Sequence, residues 1–332
     1  MSHEFESGFF VKTPAWHNLG VVLENAPTIA EGIKAAGLDW GVEMRPIYTP
    51  NRMGWFGVDG EELQHDQSER GFSLIDSHRS VVRTDNQKVL GVVGSRYEPY
   101  QNAEAFEFFD PFLSDGQATL ETAGSLMEGK RIFVLAKLNE QPVEVVNGDN
   151  VLQYLLLYTS HDGSVGVGIM YTPIRVVCWN TLSASVRYGE GKKSIITVKH
   201  ARNMRNAIKL VQGAIDTGRR TFEFTLDAYR KMTTYQMPIE GFRRYVRNIW
   251  EVPELEEKMP RAWDKLTTLF ETGMGTEIQG VRGTLWGGFN AVTEFVQHVR
   301  GRSDESRLDG AWFGPGKVLR EKALNVAMEM VA

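Results

Sequence analysis

Three segments that pair two apolar runs around a short turn constrain the fold of this sequence more than any other feature. They span residues 78–97, 119–138 and 151–172, and their turns carry polar residues or glycine. Apolar runs separated in this way predict β-hairpins. A helix with apolar residues at helical spacing, predicted near residues 102–113, lies between the first two. Consecutive hairpins with one helix between them predict an α+β fold, in which helices cover one face of an antiparallel sheet.

Helical spacing dominates from about residue 201 onward. The first helix of this region has one apolar stripe, formed by Met204, Ile208, Val211 and Ile215. Later segments repeat the spacing without a fixed period, which argues against a solenoid. We therefore expect residues 1–200 to form an antiparallel α+β core. Residues 201–332 are expected to form a mainly helical region packed on this core or extending it.

Composition excludes several classes of protein. The 332 residues, 42% hydrophobic and 24% charged, are typical of a soluble globular chain. No apolar run approaches the roughly 18 residues of a membrane span, and the first ten residues lack the layout of a signal peptide. These features predict a cytoplasmic protein. The single cysteine cannot form an internal disulfide or a cysteine-rich zinc site.

The stretch YTSHDGSVGVGIMYTPIRVVCWNTL, residues 158–182, contains that cysteine, Cys178, together with His161 and Asp162. A hairpin could bring the histidine close enough to act as the base for a thiol nucleophile. The alternative is structural: residues 160–163 are good turn residues, and the apolar neighbours of Cys178 are typical of a buried cysteine. We favour the structural interpretation, with His161 and Asp162 in a solvated turn and Cys178 buried and dispensable for activity.

Other motifs give no catalytic site and no cofactor. Residues 124–131, GSLMEGKR, nearly match a phosphate-binding loop, but Arg131 replaces the hydroxyl residue and a strand follows where a helix is required. A hairpin turn that displays Lys130 and Arg131 is the simpler prediction. The seven histidines form no short metal-ligand pair, so no metal site is expected. An enzyme is less favoured than a binding protein.

The clearest remaining feature is a basic segment in a chain with a net charge of −5. Residues 187–220 contain nine Lys and Arg against two acidic residues, a local net charge of +7. Basic residues at the start of the helical region fall on a face away from the apolar stripe. Such a face can be an ordinary solvated surface, or it can bind a polyanion, with Trp179 and Tyr188 available to stack on bases. The predicted nucleic-acid-binding residues are Lys192, Lys193, Lys199, Arg202, Arg205 and Lys209, with Lys130, Arg131 and Arg175 as possible extensions.

Several motifs resemble those of the phage/plasmid-like protein family, a family of unknown function found in phages, prophages and plasmids. They are PAWHNLG (14–20), ETAGSLMEGKRIFVLAKL (121–138), SHDGS (160–164), TPIRVVCWNTL (172–182), VKHARN (198–203) and FNAVTEFVQHVRG (289–301). The resemblance implies a mobile genetic element as the setting, and it carries over no catalytic residues.

This setting, together with the basic segment, favours a protein that binds single-stranded DNA without sequence preference. Such a protein can act as an accessory in strand annealing or recombination, by fold-level analogy with ring-forming annealing proteins. Uncovered edge strands would also favour a homo-oligomer. One alternative is a factor that contacts host proteins, to counter defence or to regulate the element. An unrecognised enzyme using the SHDG and TPIRVVCWNTL segments is the third.

Overall fold

A computed structural model of the chain describes residues 5–12, 20–50, 72–175, 180–181, 195–212, 215–253, 259–301 and 314–332. The strands in these ranges are β1 (Phe5–Val11), β2 (Val21–Leu23), β3 (Val42–Pro50), β4 (Phe72–Arg83), β5 (Val89–Gly94), β6 (Ala118–Leu126), β7 (Arg131–Leu138), β8 (Val143–Val146), β9 (Asp149–Ser160), β10 (Val167–Arg175), β11 (Asn180–Thr181) and β12 (Ile195–Val198).

The helices alternate with strands at first and then follow one another. They are α1 (Ile29–Ala35), α2 (Asn102–Glu107), α3 (Asp110–Ser114), α4 (Met204–Gln212), α5 (Ile215–Thr234), α6 (Ile239–Trp250), α7 (Trp263–Thr272), α8 (Leu285–Glu294), a π-helix (Phe295–Val299) that continues α8, and α9 (Pro315–Val331). No helix in the described ranges is long and apolar enough to cross a membrane.

Two sheets form the β part of the molecule. The larger has nine described strands, with β11, β10, β9, β7, β6, β1 and β2 in sequence across it, β12 paired to β10 and β8 paired to β9. Its ladders are antiparallel except for β1 with β2, which are parallel. The smaller sheet has the order β3, β4, β5. The α+β class and the helical C-terminal part are confirmed.

Two details of the predicted sheet are wrong. The hairpin predicted at residues 78–97 forms from β4 and β5 but belongs to the smaller sheet, whereas the other two predicted hairpins lie in the larger one. The larger sheet is also covered on more than one face. Five consecutive residues of β7, from Ile132 to Ala136, are buried, and alternate residues of a strand point to opposite faces. Continuous apolar runs of this kind indicate a strand buried on both sides.

Local sequence explains where α1 begins and ends. The Thr28 hydroxyl accepts a hydrogen bond from the Glu31 amide, and the Glu31 carboxylate accepts one from the Thr28 amide, 2.9 Å away. This capping box satisfies two N–H groups that the helix itself leaves unpaired. Gly37 then ends the segment with a φ of +64°, in the left-handed region that glycine tolerates best.

The C-terminal helices pack against the larger sheet through aromatic side chains. Tyr171 of β10 lies 5.9 Å from Phe222 of α5, measured between ring centroids. Further along α5, Tyr229 contacts Trp286 and Phe289 of α8 at 4.8 and 5.7 Å. These residues belong to one hydrophobic cluster that also includes the strands of the larger sheet.

Candidate functional site

Strand register places the start of β7, the end of β9, the start of β10 and the end of β12 at the same end of the larger sheet. Arg131 pairs with Ser160 across β7 and β9, and Val167 pairs with Val198 across β10 and β12. Neighbouring strands are about 4.8 Å apart, so the four strand ends span about 14 Å. The predicted cations at residues 130–131 and those that follow Val198 are far apart in the sequence, and the register brings both sets to this end.

The SHDGS turn closes the same end by joining β9 to β10. The Ser160 hydroxyl donates to the Val165 carbonyl at 2.8 Å and accepts from the Val165 amide at 3.0 Å. Asp162 Oδ1 accepts a hydrogen bond from the Ser164 amide at 2.9 Å, and Gly163 has a φ of +77°. The side-chain bonds and the positive φ are those expected of turn residues. The predicted turn is confirmed.

Three contacts tie neighbouring segments to this turn. The His161 amide donates to the Lys130 carbonyl at 2.8 Å, and the Tyr97 hydroxyl donates to the Ser160 carbonyl at 2.7 Å. The Tyr97 ring stacks on the His200 ring with centroids 4.6 Å apart. The segment that follows β5, the β6–β7 turn and the segment between β12 and α4 therefore meet around the SHDGS turn.

These segments present a group of cations that we call the cationic end: Arg96, Lys130, Arg131, Lys199 and Arg202. Arg96, Lys199 and Arg202 are exposed, and no carboxylate in the described part of the chain forms an ion pair with them. Lys130 and Arg131 are partly buried. Arg96 was missed in the sequence because it is an isolated basic residue far from the basic segment. Its position follows from its neighbour Tyr97, which contacts both Ser160 and His200.

Arg205 lies nearby, but its charge is already paired. Its guanidinium forms ion pairs with Glu104 and with Glu98, the latter at 3.4 Å, and these contacts join α4 to α2 and to the segment that precedes α2. A paired and half-exposed arginine contributes less to a polyanion site than an unpaired one. Of the other predicted residues, Lys192 and Lys193 lie outside the described residues, as does the side chain of Lys209.

His161 corrects one prediction, because it is fully buried and not part of a solvated turn. Its Nε2 lies 2.9 Å from Asn102 Oδ1, and the Asn102 amide nitrogen donates to the Trp40 carbonyl at 2.8 Å. The hydrogen-bond network therefore assigns the proton to Nε2. Nδ1 has no hydrogen-bond partner among the residues that the structure describes.

The two histidines of this region, His161 and His200, do not add positive charge to this surface. Burial, with a smaller contribution from the nearby His200, lowers the pKa of His161 to about 3. Burial also lowers the pKa of His200, whose Nδ1 donates to the Glu98 carbonyl at 3.0 Å. Both rings are therefore neutral at pH 7, and they position backbone segments through hydrogen bonds and stacking.

Arg175 lies at the opposite end of β10 and is not a surface cation. It is fully buried, with its Nε 2.7 Å from Asp149 Oδ1 and a second guanidinium nitrogen 2.7 Å from Asp149 Oδ2. Trp286 Nε1 donates to the same carboxylate at 2.8 Å. The prediction that Arg175 extends a nucleic-acid-binding surface is therefore wrong, since its guanidinium already has a buried counter-ion.

This buried ion pair connects the sheet to the C-terminal helices. Arg175 also donates to the Met274 carbonyl at 3.0 Å, and Glu294 of α8 accepts from the Met274 amide at 3.0 Å. Burial raises the pKa of Glu294, although the Met274 amide and Arg175 act in the opposite direction. The charges of Arg175 and Asp149 neutralise each other, so we assign this ion pair a structural role and call it the Arg175–Asp149 clamp.

The less favoured alternative, a thiol nucleophile with His161 as its base, receives no support from the described geometry. Cys178 lies outside the described residues, as do Trp179 and Tyr188. The residues that flank the cysteine, Arg175 and Asn180, pair with each other at the far end of β10 from His161. That strand is about 26 Å long. In the described part of the chain, no group of three or more His, Cys, Asp or Glu residues could hold a metal ion.

The β6–β7 connection also shows why the phosphate-loop match fails. Residues 127–130 form a turn between two antiparallel strands, as the sequence predicted. Met127, Glu128 and Gly129 have φ values of +54°, +60° and +88°. Arg131 begins β7, where a phosphate loop would begin a helix.

A comparison with protein families gives a match to the family described as Domain of unknown function (DUF932) over residues 89–312. The matched range covers about two thirds of the chain and includes the cationic end and the Arg175–Asp149 clamp. The chain belongs to this family. Neither the curated proteins nor the solved structures give a match. Membership of DUF932 assigns no reaction, so the function has to be inferred from the residues themselves.

Proposed function

We propose that this DUF932 protein binds single-stranded DNA without sequence preference through its cationic end. One observation carries the proposal: strand register and the Tyr97–His200 stack bring cations from three separate segments to one end of the larger sheet. Three of them, Arg96, Lys199 and Arg202, are exposed and have no ion-pair partner among the described residues.

Electrostatics makes such a surface suited to phosphates. Neutralising backbone phosphates releases condensed counterions, which favours binding to any sequence. The overall charge of −5 disfavours wrapping by the whole surface, so contact is limited to the region where positive charge is concentrated. Nearby carboxylates restrict the extent of this surface. Glu98 and Glu104 pair with Arg205, and Glu128 pairs with Lys88 at 2.6 Å, so the charges of Arg205 and Lys88 are already neutralised.

The biological setting proposed here is a phage, prophage or plasmid, with the protein in the cytoplasm as an accessory in annealing or recombination. The motif resemblance supports this setting, and the cationic end supports the binding step. We also propose self-association. Val92 and Val89 on the edge strand β5 are more than half exposed, and an exposed apolar edge strand favours pairing with another chain. The same edge could instead bind a host protein, which is the alternative function.

Fluorescence anisotropy with a labelled single strand tests the binding step. The variant Lys199→Glu/Arg202→Glu should weaken binding to all sequences alike, and its affinity should depend less on salt. Arg243→Glu/Arg244→Glu is the matched control, because it also reverses two charges but lies on α6, outside the cationic end. If the two double variants bind equally well, the cationic end is an ordinary solvated surface.

A further inference from the structure

A pocket of about 480 Å³ lies between the end of α6, the end of the π-helix and the start of α9. Its apolar lining comes from Ile249 and Trp250 of α6 and from Val318 and Leu319 of α9, and two cations, Arg300 and Lys322, also line it. The volume falls within the range of pockets that bind small organic ligands. The pocket shares no residue with the cationic end.

Several contacts hold the walls of this pocket in place. The Tyr245 hydroxyl of α6 donates to the Ala323 carbonyl of α9 at 2.8 Å. Trp250 packs against Phe295 of the π-helix with ring centroids 6.4 Å apart. Lys322 forms an ion pair with Glu251 at 2.6 Å, which joins the residue after α6 to α9. Because both helices are fixed to each other, the pocket exists before any ligand arrives.

The two cations have different roles. Lys322 forms an ion pair with Glu251, so its charge is neutralised. Arg300 is exposed and pairs with no carboxylate in the described part of the chain. Arg300 follows directly after the π-helix, and its amide donates to the Phe295 carbonyl at 2.8 Å. Short π-helical segments are frequent at functional sites, where they alter the direction of the residues that follow.

We propose that this pocket binds a small aromatic carboxylate, with its ring against Trp250 and the α9 side chains and its carboxylate on Arg300. A guanidinium binds a carboxylate through two parallel hydrogen bonds, which sets the polarity of the ligand. The half-exposed Val318 and the partly exposed Trp250 provide apolar surface that a flat ring can cover. The ligand is therefore an anion with one apolar face or body.

Isothermal titration calorimetry with 2-naphthoate tests this proposal on the full chain, with 2-naphthalenemethanol as its neutral counterpart. We expect 2-naphthoate to bind saturably with a Kd below about 1 mM. The alcohol should bind with a Kd about tenfold higher. Arg300→Gln should remove this difference between the two ligands. Arg244→Gln, which removes an exposed α6 arginine outside the pocket, should leave it unchanged.

A second variant keeps the test decisive if Arg300→Gln proves poorly folded. Val318→Asp places a carboxylate on an exposed position of the pocket wall, so it should weaken 2-naphthoate more than the alcohol. Absence of saturable binding by the wild type, or equal affinity for both ligands, would overturn the proposal. So would an unchanged preference for 2-naphthoate in both pocket variants.

Discussion

Replacing Asp149 by alanine should destabilise the protein more than replacing any exposed carboxylate. The substitution leaves the guanidinium of Arg175 buried without its counter-ion and removes the acceptor of Trp286 Nε1. Breaking one partner of a buried ion pair typically costs about 3–5 kcal/mol. A chain of 332 residues unfolds with an entropy of about 0.7 kcal/mol per degree, so Tm should fall by about 4–7 °C.

Differential scanning calorimetry measures this shift, with Glu251→Ala as the control. Glu251 also pairs with a cation, Lys322, but its side chain is 74% exposed, so the loss should stay below about 1 kcal/mol. The double variant Asp149→Ala/Arg175→Met should recover part of the stability, because no unpaired charge remains buried. Equal Tm shifts for Asp149→Ala and Glu251→Ala would refute the clamp and the buried position of Arg175.

Three further predictions concern the packing of the two sheets and their edges. Because the folded-state pKa of His161 is lowered, the unfolded chain takes up its proton first as pH falls below about 6.5. The free energy of unfolding should then decrease by about 1.4 kcal/mol per pH unit, and chemical denaturation at pH 7 and pH 5 should show a smaller difference for His161→Gln. Gly91→Ala should lower Tm, since an added Cβ would lie 2.6 Å from the Asp162 backbone, whereas Gly94→Ala, with open space around it, should not. Val92→Lys on the edge strand β5 should reduce the mass measured by light scattering if that edge mediates self-association; a monomeric wild type would contradict the association itself.

The sequence predicted the parts of the fold that depend on local patterns. Turn residues around Gly163 and Gly129 act within a few residues of themselves, so the hairpins could be found from them. The assignment of one hairpin to a second sheet could not be found, because strand pairing between distant segments leaves no local signal. The continuous apolar run of β7 is the signal in the sequence for burial of both of its faces.

The candidate site was less predictable because charge on a sequence does not show where the charge lies. Arg175 and Arg202 are both arginines and look alike in the sequence. In the structure Arg175 is buried against Asp149, whereas Arg202 is exposed. His161 was expected in solvent since turns usually lie at the surface, but packing against Asn102 and Trp40 buries it. Arg96 joins the site through the contacts of its neighbour Tyr97 with Ser160 and His200.

The salt dependence of single-stranded DNA binding tests the central claim most directly. Anisotropy titrations of the wild type over a range of salt concentrations should give a log–log slope of about −2 to −3.5, which corresponds to three to five phosphate contacts at about −0.7 each. Lys199→Glu/Arg202→Glu should bring the slope closer to zero by at least about one unit, whereas Arg243→Glu/Arg244→Glu should keep the wild-type slope. No binding by the wild type at low salt, or the same slope for all three proteins, would contradict the claim that the cationic end holds nucleic acid.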